Sequence, residues 1–116
     1  MTNITIIGIT CAFMVGDIAT GMLKAWHDRD VQSKILREGL FHKIAFLLVI
    51  CMAQGMEYAS GLLPQIELNL PVAGTVCAYI IMTEVVSIAE NLKAINPDIG
   101  GITNRLGDHD EPKDKE

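Results

Sequence analysis

Three runs of residues constrain this chain more than anything else in it: "ITIIGITCAFMVGDIATGML" (4–23), "IAFLLVICMAQGMEYASGLL" (44–63) and "LPVAGTVCAYIIMTEVVSIA" (70–89). Each is about 20 residues long, and at about 1.5 Å per residue a helix of that length crosses a hydrocarbon core of about 30 Å. Together they explain a composition that is 50% hydrophobic but only 5% aromatic. Helices that are apolar nearly all round belong in a bilayer or at the centre of a large protein, and 116 residues are too few to surround three of them. The chain therefore reads as all-α, an integral membrane protein with three transmembrane helices near 4–25, 44–63 and 70–92 inside one domain over 1–96. No basic residue precedes the first run and no small-residue cleavage pattern closes it, so it is expected to stay in the product and not to be removed as a signal.

The net charge of −5 acquires meaning from its placement. Residues 24–43, "KAWHDRDVQSKILREGLFHK", hold Lys24, Arg29, Lys34, Arg37 and Lys43, whereas 64–69 hold no Lys or Arg. Basic residues in short loops mark the cytoplasmic side, so 24–43 is expected inside and 64–69 outside, with the N-terminus out and the C-terminus in. Val31, Ile35 and Leu36 recur at helical spacing between charges, and Trp26 and Phe41 fall at the expected bilayer borders. This suits a short amphipathic helix lying on the cytoplasmic face, although a merely solvated loop fits equally well. Pro64 ends the second span and Pro71 suits the first turn of the third, which makes a tight external hairpin.

Past "NLKAINP", Pro97 and the glycines at 100 and 101 stop the third helix. The acidic end, "GDHDEPKDKE", has nothing apolar to pack, and 97–116 is expected to be a largely disordered cytoplasmic tail. Cys11, Cys51 and Cys77 fall inside the spans without metal-ligand spacing, and His27, His42 and His109 lie in polar segments. No nucleophile has a matching base and acid, and no glycine-rich loop is placed to cradle phosphate. The chain is expected to be no enzyme and to bind no cofactor, metal or nucleic acid.

What needs explaining is the polar content of the spans. At about 100° per residue, Thr83, Glu84, Ser87, Glu90 and Asn91 fall within an arc of about 120°. Gln54, Glu57, Ser60 and Gly61 share one face of the second span, and Asp17, Thr20, Gly21 and Lys24 one face of the first. An ionised carboxylate at the centre of a membrane helix costs about 2.5–3.5 kcal/mol on insertion scales. Asp17, Glu57 and Glu84 lie only about 5–7 Å from the midplanes of their spans at 1.5 Å per residue, too deep to be interfacial. Three helices with one wet side each are expected to meet along those sides or to line water together; polar side chains acting only as glue between helices are the competing reading. Asp17 and Glu84 fall at similar depth, with at least one of the two expected to carry a proton, and Lys24 and Glu90 are placed to pair. On a separate face of the first span, Gly8, Ala12 and Gly16 form a row of small residues that lets helix backbones approach closely, a candidate surface for self-association.

The segments "DIATGMLKA" (17–25), "SKILREGLFHK" (33–43) and "AYIIMTEVVSIAENL" (78–92) together resemble the toxin-secretion and phage-lysis holins. Matching positions are Asp17, Thr20, Gly21, Ser33, Gly39, Lys43, Glu84, Ser87, Ile88, Glu90 and Asn91. The resemblance implies a non-enzymatic, multi-pass protein of the bacterial inner membrane. It would associate with itself in the lipid bilayer and form lesions through which an endolysin, or in toxin-associated relatives a secreted toxin, leaves the cell. Members of that family commonly carry a further hydrophobic segment ahead of the Asp-containing helix, where this sequence opens on that helix. Pore and stripe candidates are then Asp17, Thr20, Gly21, Glu57, Glu84, Ser87, Glu90 and Asn91, with Ser33, Gly39 and Lys43 in the linker. Two other classes share the apolar spans and buried acids: a small proton-coupled multidrug or cation transporter, and a structural subunit of a membrane complex.

Overall fold

The computed structural model describes residues 4–101. Among them are three helices, α1 (Ile4–His27), α2 (Ser33–Leu62) and α3 (Val72–Ile95), and no strand. α1 and α3 are each long and apolar enough to cross a membrane, with a mean hydropathy of 1.8 in their most apolar windows.

Each helix ends for a local reason. At the end of α1, Arg29 takes the left-handed conformation (φ 56°). The Asp30 amide then donates to the Ala25 carbonyl at 2.9 Å and the Arg29 amide to that of Trp26 at 3.1 Å, the paired bonds of a Schellman cap. Lys24 and His27 in the last turn complement the negative end of the helix dipole. α2 closes with the Leu63 amide donating to Ala59 just before Pro64, and α3 opens after Pro71, which stands at its N-cap position.

The second helix departs from the sequence reading. Instead of a separate linker up to residue 43, helical structure begins at Ser33 and runs without a break to Leu62. Between Ser33 and Lys43 only Gly39 disfavours a helix, at a cost of about 1 kcal/mol, and no proline stops it. The linker thus shrinks to the turn after His27, and Lys43 lies within a helix of 30 residues.

Each helix turns a row of residues inward at intervals of three and four. On α1 the row is Ile7, Thr10, Met14, Asp17 and Gly21; on α2 it is Lys43, Phe46, Ile50, Ala53 and Glu57; on α3 it is Ala73, Cys77, Ile80, Glu84, Ser87 and Asn91. That alternation keeps one seam facing a neighbour over several turns. Met14, Ile50, Cys77 and Ile80 form the apolar centre, flanked by Ile7, Phe46 and Val76. Contacts between α1 and α3 climb together along both helices, Asp17 with Ser87 and Thr20 with Asn91, so these two run parallel and α2 runs against them. α1 lies against α3 along much of its length and touches α2 only lightly.

The bundle is apolar on the outside. Val15, Leu48, Met52, Tyr58, Leu62, Tyr79, Met82 and Val86 are all more than half exposed, while Glu84 is 2% exposed. In water such a surface would be an unpartnered apolar patch far beyond what a soluble monomer carries. In a bilayer it meets acyl chains, and the polar groups are sheltered inside. Most of the tail expected at 97–116 lies outside the described residues; at its start the chain turns, with the Gly100 amide donating to Pro97 at 2.9 Å, and residues 99–101 are helical, where the sequence reading expected no regular structure.

Candidate functional site

Three charged side chains, one from each helix, meet inside the bundle. The Lys43 ammonium of α2 donates to Asp17 Oδ2 of α1 at 2.7 Å, and to both oxygens of Glu84 on α3 at 2.9 and 3.2 Å. Their side chains are 11% (Lys43), 14% (Asp17) and 2% (Glu84) exposed. The remaining valences are filled from α3: Ser87 Oγ donates to Asp17 Oδ1 at 2.6 Å and Asn91 Nδ2 to the same oxygen at 3.1 Å. Asn91 also donates to Thr20 Oγ1 at 3.0 Å, and that hydroxyl returns its proton to the Gly16 carbonyl of its own helix at 2.9 Å.

Helical spacing puts these groups at one level. Asp17 and Thr20 are three apart on α1, and Glu84, Ser87 and Asn91 are three and four apart on α3, so each set stacks on a single face. Gly21 lets α3 come close: a Cβ there would sit 3.7 Å from Asn91 Nδ2. Moving a charge out of water costs several kcal/mol even after relaxation, and a buried ion cluster repays that only when its hydrogen bonds are complete. Here they are. Two carboxylates thus face one ammonium.

A cavity of about 460 Å³ opens between α1 and the first part of α2, with Asp17, Lys43, Ser87 and Asn91 at its floor and Gly21 and Gly39 in its walls. It has room for on the order of 15 waters at about 30 Å³ each. Asp28, Asp30 and Gln32 also line it, together with Ile18, Met22, Ile35, Leu36 and Leu40, so the cavity extends from the cluster to the α1–α2 turn.

The structure brings together Asp17, Thr20, Gly21, Glu84, Ser87 and Asn91 from the expected polar stripes, and Lys43, expected in the linker, joins them inside the bundle. The Lys43 ammonium stands between Asp17 and Glu84, a partner the sequence reading did not give them. Lys24 and Glu90 do not pair: both are exposed, Glu90 being turned about 100° away from Asn91, which faces α1. Glu57 lies towards the opposite end of the bundle, where its Oε2 accepts from the Ala73 amide at 2.9 Å and so caps the start of α3. A carboxylate there meets both an orphan N–H and the positive end of the helix dipole. Gly8 and Ala12 are exposed, but Gly16 is not part of that free face, since a Cβ on it would come within 3.3 Å of Ile88 Cδ1 on α3. Ser33 begins α2 and Gly39 is exposed within it. Lys43 had a legible signal: it stands seven, ten and fourteen residues before Ile50, Ala53 and Glu57, in phase with the inward row. Among the described residues no group of His, Cys, Asp and Glu is arranged to hold a metal ion.

Compared with known proteins, the chain matches the family model described as the bacteriophage holin family over residues 3–107. No curated protein and no solved structure matches it.

Proposed function

Because this chain belongs to the bacteriophage holin family, we propose that it oligomerises in the inner membrane of the host bacterium and opens lesions through which an endolysin, or a toxin, is released. The observation that carries the reading is the charged and hydrogen-bonded cluster enclosed by helices whose outer surfaces suit lipid. A protein that only needed to reside in a membrane has no use for so costly an interior. One that must change from a compact form to the wall of an aqueous hole needs polar groups that can be sheltered first and wetted later.

In the membrane, the arrangement is three spans with the N-terminus outside. Residues 44–62 of α2 include Glu57 as their one charged side chain, and at about 1.5 Å per residue they extend about 28 Å, close to a hydrocarbon core. The first turns of α2, with Lys34 and Arg37 exposed, project into the cytoplasm. Residues 1–96 act as the membrane domain and 97–116 as a cytoplasmic tail. Asp17, Thr20, Glu84, Ser87 and Asn91 would supply the wet surface of the lesion.

A transporter that couples export to a membrane carboxylate needs that carboxylate available to its ion. Asp17 and Glu84 are instead occupied by Lys43, Ser87 and Asn91, which favours a stored surface over a coupling site. Timed expression with a membrane-impermeant dye, with and without an endolysin supplied in the cytoplasm, tests the proposal. Abrupt dye entry and endolysin-dependent lysis are the expected results. Altered drug tolerance without dye entry would replace the reading with a transporter, and no effect on either would leave a structural subunit.

A further inference from the structure

The three helices are not held equally. α1 and α3 are joined closely: Gly16 leaves room for Ile88, Gly21 for Asn91, and Ser87 and Asn91 bond directly to Asp17 and Thr20. α2 is attached differently. Of its 30 residues only Ile50, Ala53 and Glu57 are buried, and the cavity of about 460 Å³ separates its first part from α1. Its side chains reach the other two helices through carboxylate contacts that include Lys43 with Asp17 and Glu84, and Glu57 with the Ala73 amide. Between them Gln54 Oε1 is buried and meets no hydrogen-bond partner among the described residues, a cost carried by α2 in the closed bundle.

From this asymmetry we infer that α2 is the moving element, latched by Lys43 onto a fixed, parallel α1–α3 pair, and that withdrawal of the Lys43 ammonium from between Asp17 and Glu84 opens the bundle. The inference rests on the proposed lesion-forming activity and assigns the part of the molecule that changes. An ion contact inside a poorly solvated site is close to all-or-none, because a half-withdrawn ammonium keeps neither its partners nor its water. Such an element has two discrete states and few between, which is what a device that waits and then acts requires. The groups uncovered when α2 leaves are Asp17, Glu84, Ser87 and Asn91, all still held on the α1–α3 pair. The cavity already runs from the latch to the α1–α2 turn, so departure of α2 widens an existing gap instead of prising apart a packed contact.

The test uses the full chain in membranes, with Cys11 and Cys51 replaced by alanine. Ile50→Cys lies in the same apolar cluster as native Cys77, so a short bifunctional thiol reagent tethers α2 to α3. Gly16→Cys with Ile88→Cys, in a chain whose Cys77 is also alanine, tethers α1 to α3 by a disulfide. Dye entry should be lost when α2 is tethered and retained at its normal time when α1 and α3 are tethered. Untethered Lys43→Met should permeabilise earlier than the parent at equal protein level, and Lys43→Arg should stay close to it. Normal dye entry by a chain fully tethered between α2 and α3 overturns the latch, as does an unchanged or delayed onset for a Lys43→Met chain that inserts normally. If the untethered parent chain never admits dye, it is the lesion-forming reading itself that fails.

Discussion

Glu57 and Glu84 are both acids within apolar sequence, yet the structure gives them unlike tasks, and substitution should separate them. Glu57→Ala removes the acceptor of the Ala73 amide and should destabilise the α2–α3 hairpin by about 1–3 kcal/mol, the cost of leaving a buried donor unpaired. Glu57→Gln, whose amide carbonyl can still accept, should recover most of that. Thermal unfolding of the purified protein in detergent, followed by circular dichroism, would report both; equal stability of the alanine variant and the parent would remove the capping role. Glu84→Gln differs because it takes away a charge facing Lys43. It should leave insertion intact and shift the time of dye entry at equal protein level. At this scale the acids and Ser87, Thr20 and Asn91 were legible in the sequence, because polar groups on one face of an apolar helix call for partners. Lys43 was less so. Basic residues near the end of a span read first as topology markers, and only its phase with Ile50 and Glu57 shows that it turns inward.

Helix ends and helix faces carry the next level of organisation. α1 closes on Arg29 in a conformation that favours glycine (φ 56°), at a cost of about 1–2 kcal/mol for a side chain with a Cβ. Arg29→Gly should therefore stabilise the chain by up to about 1 kcal/mol, once the entropy of the freer unfolded glycine is subtracted. The same melting measurement decides it, and a lower melting temperature would count against the cap. The row Gly8, Ala12, Gly16 reads from sequence as one surface for self-association. Packing divides it, because Gly16 already faces Ile88 while nothing lies within 4 Å of a Cβ at Gly8. Gly16→Leu should overpack the α1–α3 contact at a cost of about 1–3 kcal/mol. Gly8→Leu should leave the single chain as stable as before and weaken only higher-order crosslinked bands in the membrane. Unchanged bands would mean that Gly8 and Ala12 face lipid. Helix existence was plain from the apolar runs, but the start of α2 was not, since the charges of 33–43 suit a separate surface helix or a loop equally until one helix is seen to run through them into the apolar run.

At the scale of the whole molecule, the helices turn many large apolar residues outward and Asp17, Lys43, Glu57 and Glu84 inward, and that inversion is the structural counterpart of membrane residence. Hydropathy alone could indicate the spans, but not which faces meet, because in lipid the helices are sorted by close packing and polar contacts and not by apolar burial. The direction of the bundle across the bilayer follows from the charges at its two ends. Lys24, Arg29, Lys34 and Arg37 are exposed near the α1–α2 turn, while the α2–α3 connection has no basic residue. The turn should therefore be cytoplasmic and Ile66 external. Single cysteines at Thr2, Ile66 and Asp110, in a chain with the three native cysteines replaced, give a direct reading in intact cells. A membrane-impermeant thiol reagent added outside should label Thr2→Cys and Ile66→Cys and reach Asp110→Cys only after the cells are opened. The measurement must precede lesion formation, because a hole lets the reagent reach both sides. Labelling of Asp110→Cys from outside together with protection of Ile66→Cys would invert the bundle. The cavity beside Lys43 would then run from the latch towards the periplasmic side.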